Sequence, residues 1–148
     1  MLNKRLVKSP KLYFYDTGLA CALLDMQSFE QLQVHYLRGG LIESLIISDI
    51  FKHYYNSGSR PHNVYFWRNQ AGNEIDCIIQ RGNTLVPIEI KSGKTIVSDF
   101  FDGLVYWAQL AEKAPPVGYV VYGGCENQKR TQATVVSWNR IESIFQDT

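Results

Sequence analysis

The chain has 148 residues, of which 45% are hydrophobic and 20% are charged, and its formal net charge is +1. These values predict one globular domain with a sizeable core, and the net charge is not that of a nucleic-acid-binding protein that is basic over its whole surface. A local basic patch would still be sufficient for nucleic-acid binding. No apolar run approaches the roughly 18 residues of a membrane span, and the basic N-terminus lacks a following signal-peptide segment.

The cysteines and histidines argue against a soft-metal site. Cys21, Cys77 and Cys125 are far apart, odd in number and without a C-x-x-C pair, which indicates free thiols in a reducing compartment. The three histidines are scattered along the chain in a way that does not favour a metal site. We therefore expect a cytoplasmic protein with no membrane partner.

The N-terminal third is expected to contain an arm and two helices. Residues 1–14 read as a basic arm or linker, and residues 15–148 as the domain. The basic residues of the arm fit a solvated segment: Lys4, Arg5, Lys8 and Lys11. Asp16 is expected to cap a short helix that runs to Leu24. Gly39-Gly40 opens a stronger helix, roughly Leu41 to Tyr55, which a turn cluster then ends.

Three strand candidates follow this helix: Val64–Arg68, Glu74–Gln80 and Thr84–Lys91. The connectors between them are short enough for hairpins, so the three should form an antiparallel meander. The aromatic residues of the first strand could stack on bases, but alternating aromatics in a strand more often belong to a core.

The C-terminal third predicts a helix, two strands and a final helix. Ser98 or Asp99 should start a helix that runs to about Glu112, and Pro115-Pro116 should stop it. Next come Val117–Tyr122, a strand apolar enough for burial on both faces, a polar loop, Thr134–Ser137 and a terminal helix over 139–145. The fold class predicted is an α/β sandwich with a mixed sheet, in which one crossover adds a parallel strand to the meander.

The candidate site lies on the two later strands of the meander. Residues two apart share a face of a strand, so Glu89 and Lys91 should point one way and Ile88 and Ile90 the other. Asp76 lies on the adjacent strand, and we expect its carboxylate to share one metal with that of Glu89. Hard carboxylate ligands suit Mg²⁺ or Mn²⁺, which would activate a water, and Lys91 would orient that water or stabilise the charged intermediate.

Glu43 interrupts the apolar stripe of the strong helix, because residues three, four and seven positions later are isoleucines. A charge that faces a core needs a partner, such as a cation, a metal or a cluster of donors. Alternatively, Glu43 lies in the first helical turn and is solvated near the positive end of the helix dipole. The spacing alone leaves both interpretations open.

The other candidates also have plain structural interpretations. Asp76 could be a polar residue on a solvent face, and Glu74 shares its parity. Glu89 and Lys91 could form a surface ion pair of little energetic value. The nuclease interpretation depends on three acids and a lysine lying on neighbouring elements.

These residues resemble the PD-(D/E)XK nuclease superfamily, and in particular the C-terminal domain of a large group of prokaryotic AAA+ ATPases. The resemblance covers about Lys8 to Trp138. It is carried by the ordered segments KSPKLYFYDTGL (8–19), GLIE (40–43), YFWR (65–68), NEID (73–76), IEIKSG (88–93) and YGG (122–124).

The resemblance implies a restriction-endonuclease-like fold in which Glu43, Asp76, Glu89 and Lys91 are the catalytic positions and the three acids hold Mg²⁺ or Mn²⁺. Isoleucine, where restriction enzymes often carry proline, precedes Asp76. The chain has no P-loop and so no ATP site. The resemblance therefore implies that the AAA+ ATPase domain is a partner, as the N-terminal part of a longer protein.

The function expected is Mg²⁺-dependent hydrolysis of DNA, with weak, salt-sensitive DNA binding through Arg68, Lys94 and Lys52 around the cleft. The alternative is a non-catalytic nucleic-acid- or protein-binding regulatory module of an AAA+ ATPase that keeps the nuclease fold. An intact set of four residues favours the enzyme, whereas the near-neutral charge and the nine tyrosines favour the module.

Overall fold

The computed structural model describes residues 10–114 and 116–146. The helices are α1 (Thr17–Leu23), α2 (Phe29–Val34), α3 (Arg38–Asn56) and α4 (Asp102–Leu110), with 3₁₀ helices at Ser98–Phe101 and Ile141–Phe145. The strands are β1 (Val64–Arg68), β2 (Glu74–Arg81), β3 (Thr84–Lys91), β4 (Tyr119–Tyr122), β5 (Gln128–Lys129) and β6 (Thr134–Ser137).

The strands form one six-stranded mixed sheet in the order β1-β2-β3-β4-β6-β5. The first three strands form the expected antiparallel meander, and β4 joins β3 in parallel after the crossover through α4. The sequence interpretation contained one parallel pair, but the structure has a second, because β6 also runs parallel to β4. The α/β class and the mixed sheet are confirmed.

Helices cover both faces of the sheet. On one face α3 packs Ile46 and Ile50 against Ile88 and Ile90, and on the other face α4 packs Leu104 into a separate cluster. Strand β4 is buried along its whole length and contributes alternate side chains to the two clusters, as expected for a strand covered on both sides. Helices α1 and α2 contact α3.

Several predicted boundaries need correction. Helix α3 begins at Arg38, so Gly39 and Gly40 lie inside it and do not precede it. The segments α2 and β5 were not predicted. The helix predicted from Ser98 to about Glu112 begins as a 3₁₀ turn and ends at Leu110, and the predicted terminal helix is a 3₁₀ helix over Ile141–Phe145. Part of the predicted N-terminal arm, residues 1–9, and Pro115 of the predicted stop lie outside the described residues.

Strand β2 contains a β-bulge that positions the candidate site. Its register with β1 shifts between Tyr65 and Trp67, so Asp76 and Cys77 together face Phe66. The extra residue breaks the strict alternation of faces. As a result, Ile75 and Ile78 both pack toward α4, although residues three apart in a regular strand point to opposite faces. Cys77 packs toward α3.

Next to the bulge, β2 and β3 separate. The last paired residues at this end of their ladder are Cys77 and Ile88. Beyond them, the backbone N–H of Ile90 donates to Oδ2 of Asp76 at 2.8 Å, so a side chain takes the place of a ladder partner. We call this opening, beside the N-terminal half of α3, the cleft.

Candidate metal centre

Three carboxylates meet at the cleft, from Glu43, Glu74 and Asp76. One oxygen of each lies within 4.8 Å of the others. We call this set the carboxylate triad. Glu74 and Asp76 are two residues apart and reach the same side of β2, and α3 brings Glu43 to them. Since α3 begins at Arg38, Glu43 lies beyond the first helical turn, which removes the interpretation based on the helix dipole.

The ammonium of Lys11 lies among these oxygens. Its Nζ donates to Oε1 of Glu43 at 2.7 Å and to Oε1 of Glu74 at 2.5 Å, and it is 3.7 Å from Oδ1 of Asp76. The Tyr13 hydroxyl donates to the same Oε1 of Glu43 at 2.7 Å. Glu43 thus has a cationic partner, as one of the two open interpretations predicted, and Lys11 is not the solvated arm residue predicted.

Arg68 supports the triad from β1. Its Nε donates to Oε2 of Glu74 at 2.5 Å, and a second guanidinium nitrogen contacts the same oxygen. Burial disfavours the charged form of Glu74, but the hydrogen bonds from Lys11 and Arg68 outweigh it and lower the pKa of Glu74. This carboxylate therefore stays ionised.

Asp76 is the member of the carboxylate triad that also interacts with Glu89 on β3. Burial raises its pKa, the Ile90 N–H opposes that effect, and the charge of Glu43 adds to it. Because Asp76 also contributes to the raised pKa of Glu89, the triad and Glu89 interact electrostatically. The bulge and the separation of β2 from β3 produce this arrangement.

Glu89 and Lys91 lie toward the α4 side, and their isoleucine neighbours pack toward α3, as strand parity predicted. Lys91 Nζ donates to Oε2 of Glu89 at 2.6 Å. The Glu89 side chain is only 5% exposed, so the pair is not the solvated surface pair of the alternative interpretation. Oε1 of Glu89 has no hydrogen-bond partner among the described residues and lies against Gly103 of α4.

The environment changes the protonation of this pair. Burial, followed by the charge of Asp76, raises the pKa of Glu89 to about 7 against the opposing effect of Lys91. Burial acts to lower the pKa of Lys91, but the hydrogen bond to Glu89 and the nearby acids raise it overall. We expected Asp76 and Glu89 to share one metal, and this stays a prediction. The carboxylates that the structure brings together are those of Glu43, Glu74 and Asp76, and Glu89 is not among them.

The three basic residues predicted around the cleft occupy different places. Arg68 lies in it, bound to the triad. Lys94 is exposed in the segment after β3, with its Nζ 5.7 Å from the centroid of the Phe29 ring. Lys52 is nine residues beyond Glu43 on α3, about 14 Å along the helix, and pairs with Asp49 at 3.6 Å. Lys52 therefore lies too far along the helix to belong to the cleft.

Sequence reasoning missed Lys11 and Tyr13 as site residues, and it noted Glu74 only for its parity. The available signal was the alternation of Lys11 and Tyr13 around Leu12, which predicts that both point to one side of an extended segment. In the structure, Leu12 is the exposed member of the three, at 88%.

Two family models match the chain. One, described as a domain of unknown function (DUF4143), matches residues 38–141, and the other, described as a domain of unknown function (DUF8612), matches residues 1–30. No curated protein and no solved structure matches the chain. The boundary between the two matches separates Lys11 and Tyr13 from the acids that they contact. Within the described ranges, no helix is both long and apolar enough to cross a bilayer.

Proposed function

The chain belongs to the DUF4143 family, and for this member we propose Mg²⁺- or Mn²⁺-dependent hydrolysis of DNA phosphodiester bonds. The observation that carries the proposal is that the carboxylate triad and the Glu89–Lys91 pair meet where β2 and β3 separate: the charge of Asp76 acts on Glu89, and the charges of Asp76 and Glu43 act on Lys91. Acids and a lysine in this arrangement are the groups that metal-assisted phosphoryl chemistry requires.

The residues present fit a hard divalent cation. Their ligand atoms are carboxylate oxygens, which Mg²⁺ and Mn²⁺ prefer, and one oxygen of each of the three acids lies within 4.8 Å of the others. Glu43, Glu74 and Asp76 would hold the cation. When bound, it would polarise a phosphoryl oxygen and lower the pKa of a water.

The side chains of the chain itself would position the reaction. Glu89 accepts the hydrogen bond of Lys91 and so holds the partly exposed ammonium in one position. From there, Lys91 would orient the attacking water or stabilise the negative charge that develops on the phosphoryl oxygens. The hydrogen bond from Ile90 holds the Asp76 carboxylate where the two strands separate.

The finer fold and the predicted partner belong to the same proposal. The antiparallel meander, the crossover through α4 and the parallel β4 support a restriction-endonuclease-like sandwich. The resemblance to C-terminal domains of AAA+ ATPases implies an ATPase domain as partner. Fold alone does not establish an activity, so the test must address the cleft directly.

The test is metal-dependent cleavage of single-stranded, duplex and branched DNA by the wild type, by Lys91→Ala and by Lys91→Arg. We expect cleavage by the wild type with Mg²⁺ or Mn²⁺ and none in EDTA.

Lys91→Ala should abolish turnover but leave metal affinity and folding nearly intact, and Lys91→Arg should also be poor because a planar guanidinium cannot replace a compact ammonium. Lys129→Ala, on the far edge strand β5, is the matched control. Cleavage by Lys91→Ala at the wild-type rate would refute the role of Lys91.

A second candidate, a protein-binding module, is favoured by one observation. Nine large apolar or aromatic side chains between residues 12 and 36 are exposed: Leu12, Phe14, Tyr15, Leu19, Leu23, Leu24, Phe29, Val34 and Tyr36. Such a concentration is typical of interaction surfaces. A complete lack of metal-dependent cleavage, together with tight association with an ATPase domain, would favour the module.

A further inference from the structure

We propose that Lys11 is a tethered cationic plug of the carboxylate triad: its ammonium occupies the place of a divalent cation and must leave before that cation can bind. This inference depends on the proposed metal site, because it names a means of regulating that same site.

The contacts of Lys11 are those of a cation held by a metal-ligand set. The Nζ atom is 2.7 Å from an oxygen of Glu43, 2.5 Å from one of Glu74 and 3.7 Å from one of Asp76. These three residues are the ones whose ligand oxygens lie within 4.8 Å of one another. An ammonium carries three donors and no acceptor, so it satisfies several carboxylates at once.

The ammonium and the metal exclude each other. Mg²⁺ binds oxygens at 2.0–2.1 Å in octahedral geometry, whereas Nζ of the ammonium lies 2.7 Å from the Glu43 oxygen and 2.5 Å from the Glu74 oxygen. A cation bound to both oxygens would lie only a few ångströms from Nζ, and two positive charges at that distance repel strongly away from bulk water. Lys11 therefore leaves when the triad closes on a metal.

The local structure allows this exchange without unfolding the domain. Tyr13 packs against the core cluster beneath α3 and also donates to Glu43, so it anchors the segment. Leu12 is 88% exposed, so its side chain does not anchor the neighbouring Lys11 to the core. The long lysine side chain can then swing away while Tyr13 remains packed.

The consequence is that metal affinity depends on the segment before α1 that carries Lys11 and Tyr13. Lys11 falls in the part of the chain that a separate family model matches, and the triad falls in the other part. A rearrangement that draws the segment away from α3 would open the triad, and a rearrangement that returns it would close the triad again.

The first experiment measures Mn²⁺ affinity by calorimetry and by the electron paramagnetic resonance signal of free Mn²⁺. Lys11→Ala should bind Mn²⁺ at least about tenfold more tightly than the wild type, because the competing charge is gone. Lys129→Ala makes the same change in net charge at an exposed position of β5 and should bind as the wild type does.

The second experiment uses the wild type, so it holds even if Lys11→Ala folds poorly. An amine-acylating reagent is applied with and without saturating Mg²⁺, and mass spectrometry quantifies the modification of each lysine. Modification of Lys11 should increase severalfold with Mg²⁺, while that of exposed Lys129 should not change.

The outcomes separate this proposal from the one on which it rests. Mn²⁺ binding of equal strength in the wild type and in folded Lys11→Ala would overturn the plug and leave the metal site standing. Modification of Lys11 that Mg²⁺ does not increase would also overturn the plug. A failure of every variant to bind Mn²⁺ would overturn the metal site, and the plug with it.

Discussion

Among the described residues, Glu89 is the one charged residue that is buried. Its protonation should therefore affect stability. Burial, followed by the charge of Asp76, raises its pKa from 4.5 to about 7. Between these values the folded state keeps a proton that the unfolded state has released. The contribution of Glu89 to stability is therefore greatest below about pH 4.5 and is lost as the pH rises through 7.

Glu89→Gln should remove this pH dependence because the amide does not titrate. The free energy of unfolding of the variant, relative to the wild type, should rise from pH 5 to pH 8. Urea denaturation at several pH values measures the difference, and Glu142→Gln, at an exposed position, is the control. A difference between Glu89→Gln and the wild type that stays constant over this range would contradict the assignment.

The three cysteines should differ in reactivity. Cys77 is buried, and burial together with the charge of Asp76 raises its pKa to about 12, so almost no thiolate is present at pH 8. Cys125 is exposed. A chromogenic disulfide reagent should modify Cys125 rapidly in native buffer and Cys77 only after unfolding. Rapid reaction of Cys77 in a Cys21→Ser/Cys125→Ser variant under native conditions would show that the site is more open than the structure indicates.

At the residue scale, the sequence could indicate that single acids need partners but not which residues supply them. Of the two interpretations that the spacing left open for Glu43, the one confirmed is that a carboxylate in an apolar stripe has a partner, because a charge there without one is costly. Lys11 was assigned to the solvent because a local count of basic residues contains no information on a contact 32 positions away. Glu74 also joins the triad. Because Glu74 and Asp76 have the same parity on β2, the sequence could not tell which of the two would lie near Glu43.

At the scale of elements, helix α4 lies close to the buried Glu89 at Gly103, where it has no side chain. A Cβ at Gly103 would lie 2.4 Å from Oε1 of Glu89 and 3.2 Å from the carbonyl oxygen of Glu74. The Glu89 side chain is buried and bonded to Lys91, so it cannot move aside cheaply. The absence of a side chain at Gly103 thus lets α4 lie against β3.

Gly103→Ala should therefore destabilise the protein by about 1–3 kcal/mol through overpacking. Gly40→Ala is the matched control in α3, because a Cβ there meets nothing within 4 Å. Alanine favours a helix over glycine by up to about 1 kcal/mol, so this control should be neutral or stabilising. Urea denaturation of both variants tests the contrast, and a loss of stability equal in the two would refute the close contact at Gly103.

Strands were predicted more accurately than helices, and the reasons are physical. β1, β3 and β6 have the expected bounds, because alternation and turn residues define short strands well. The start of α3 was placed too late because Gly39-Gly40 signals a break, whereas packing against the sheet carries the helix through both glycines. The bulge at Asp76 and Cys77 could not be predicted, since it depends on the register with β1.

At the scale of the whole molecule, charge is balanced within the cleft. Lys11, Arg68 and Lys91 each contact an acid of the site, which leaves few basic groups there to bind phosphates. Exposed Lys94 remains available after β3. Lys52, about 14 Å along α3 from Glu43, should contribute nothing at this site.

We therefore expect weak DNA binding that falls with salt, with a log–log slope of about −2 to −3 and a higher affinity in Ca²⁺ or Mg²⁺. The cations should help because they relieve repulsion between phosphates and the triad. Fluorescence anisotropy between low and physiological salt measures the slope. Lys94→Ala should reduce its magnitude by about 1, whereas Lys52→Ala, which removes the same charge, should leave it unchanged.

The result also decides between the two functional classes. A nuclease must neutralise several backbone phosphates, so a slope near zero, or no binding at low salt with metal present, would contradict the nuclease. The exposed apolar surface between residues 12 and 36 would then be the feature to explain. In that case Lys11, Glu43, Glu74 and Arg68 would be a structural ion-pair network that fixes the N-terminal segment against α3 and β2, and an ATPase domain would be the first partner to test.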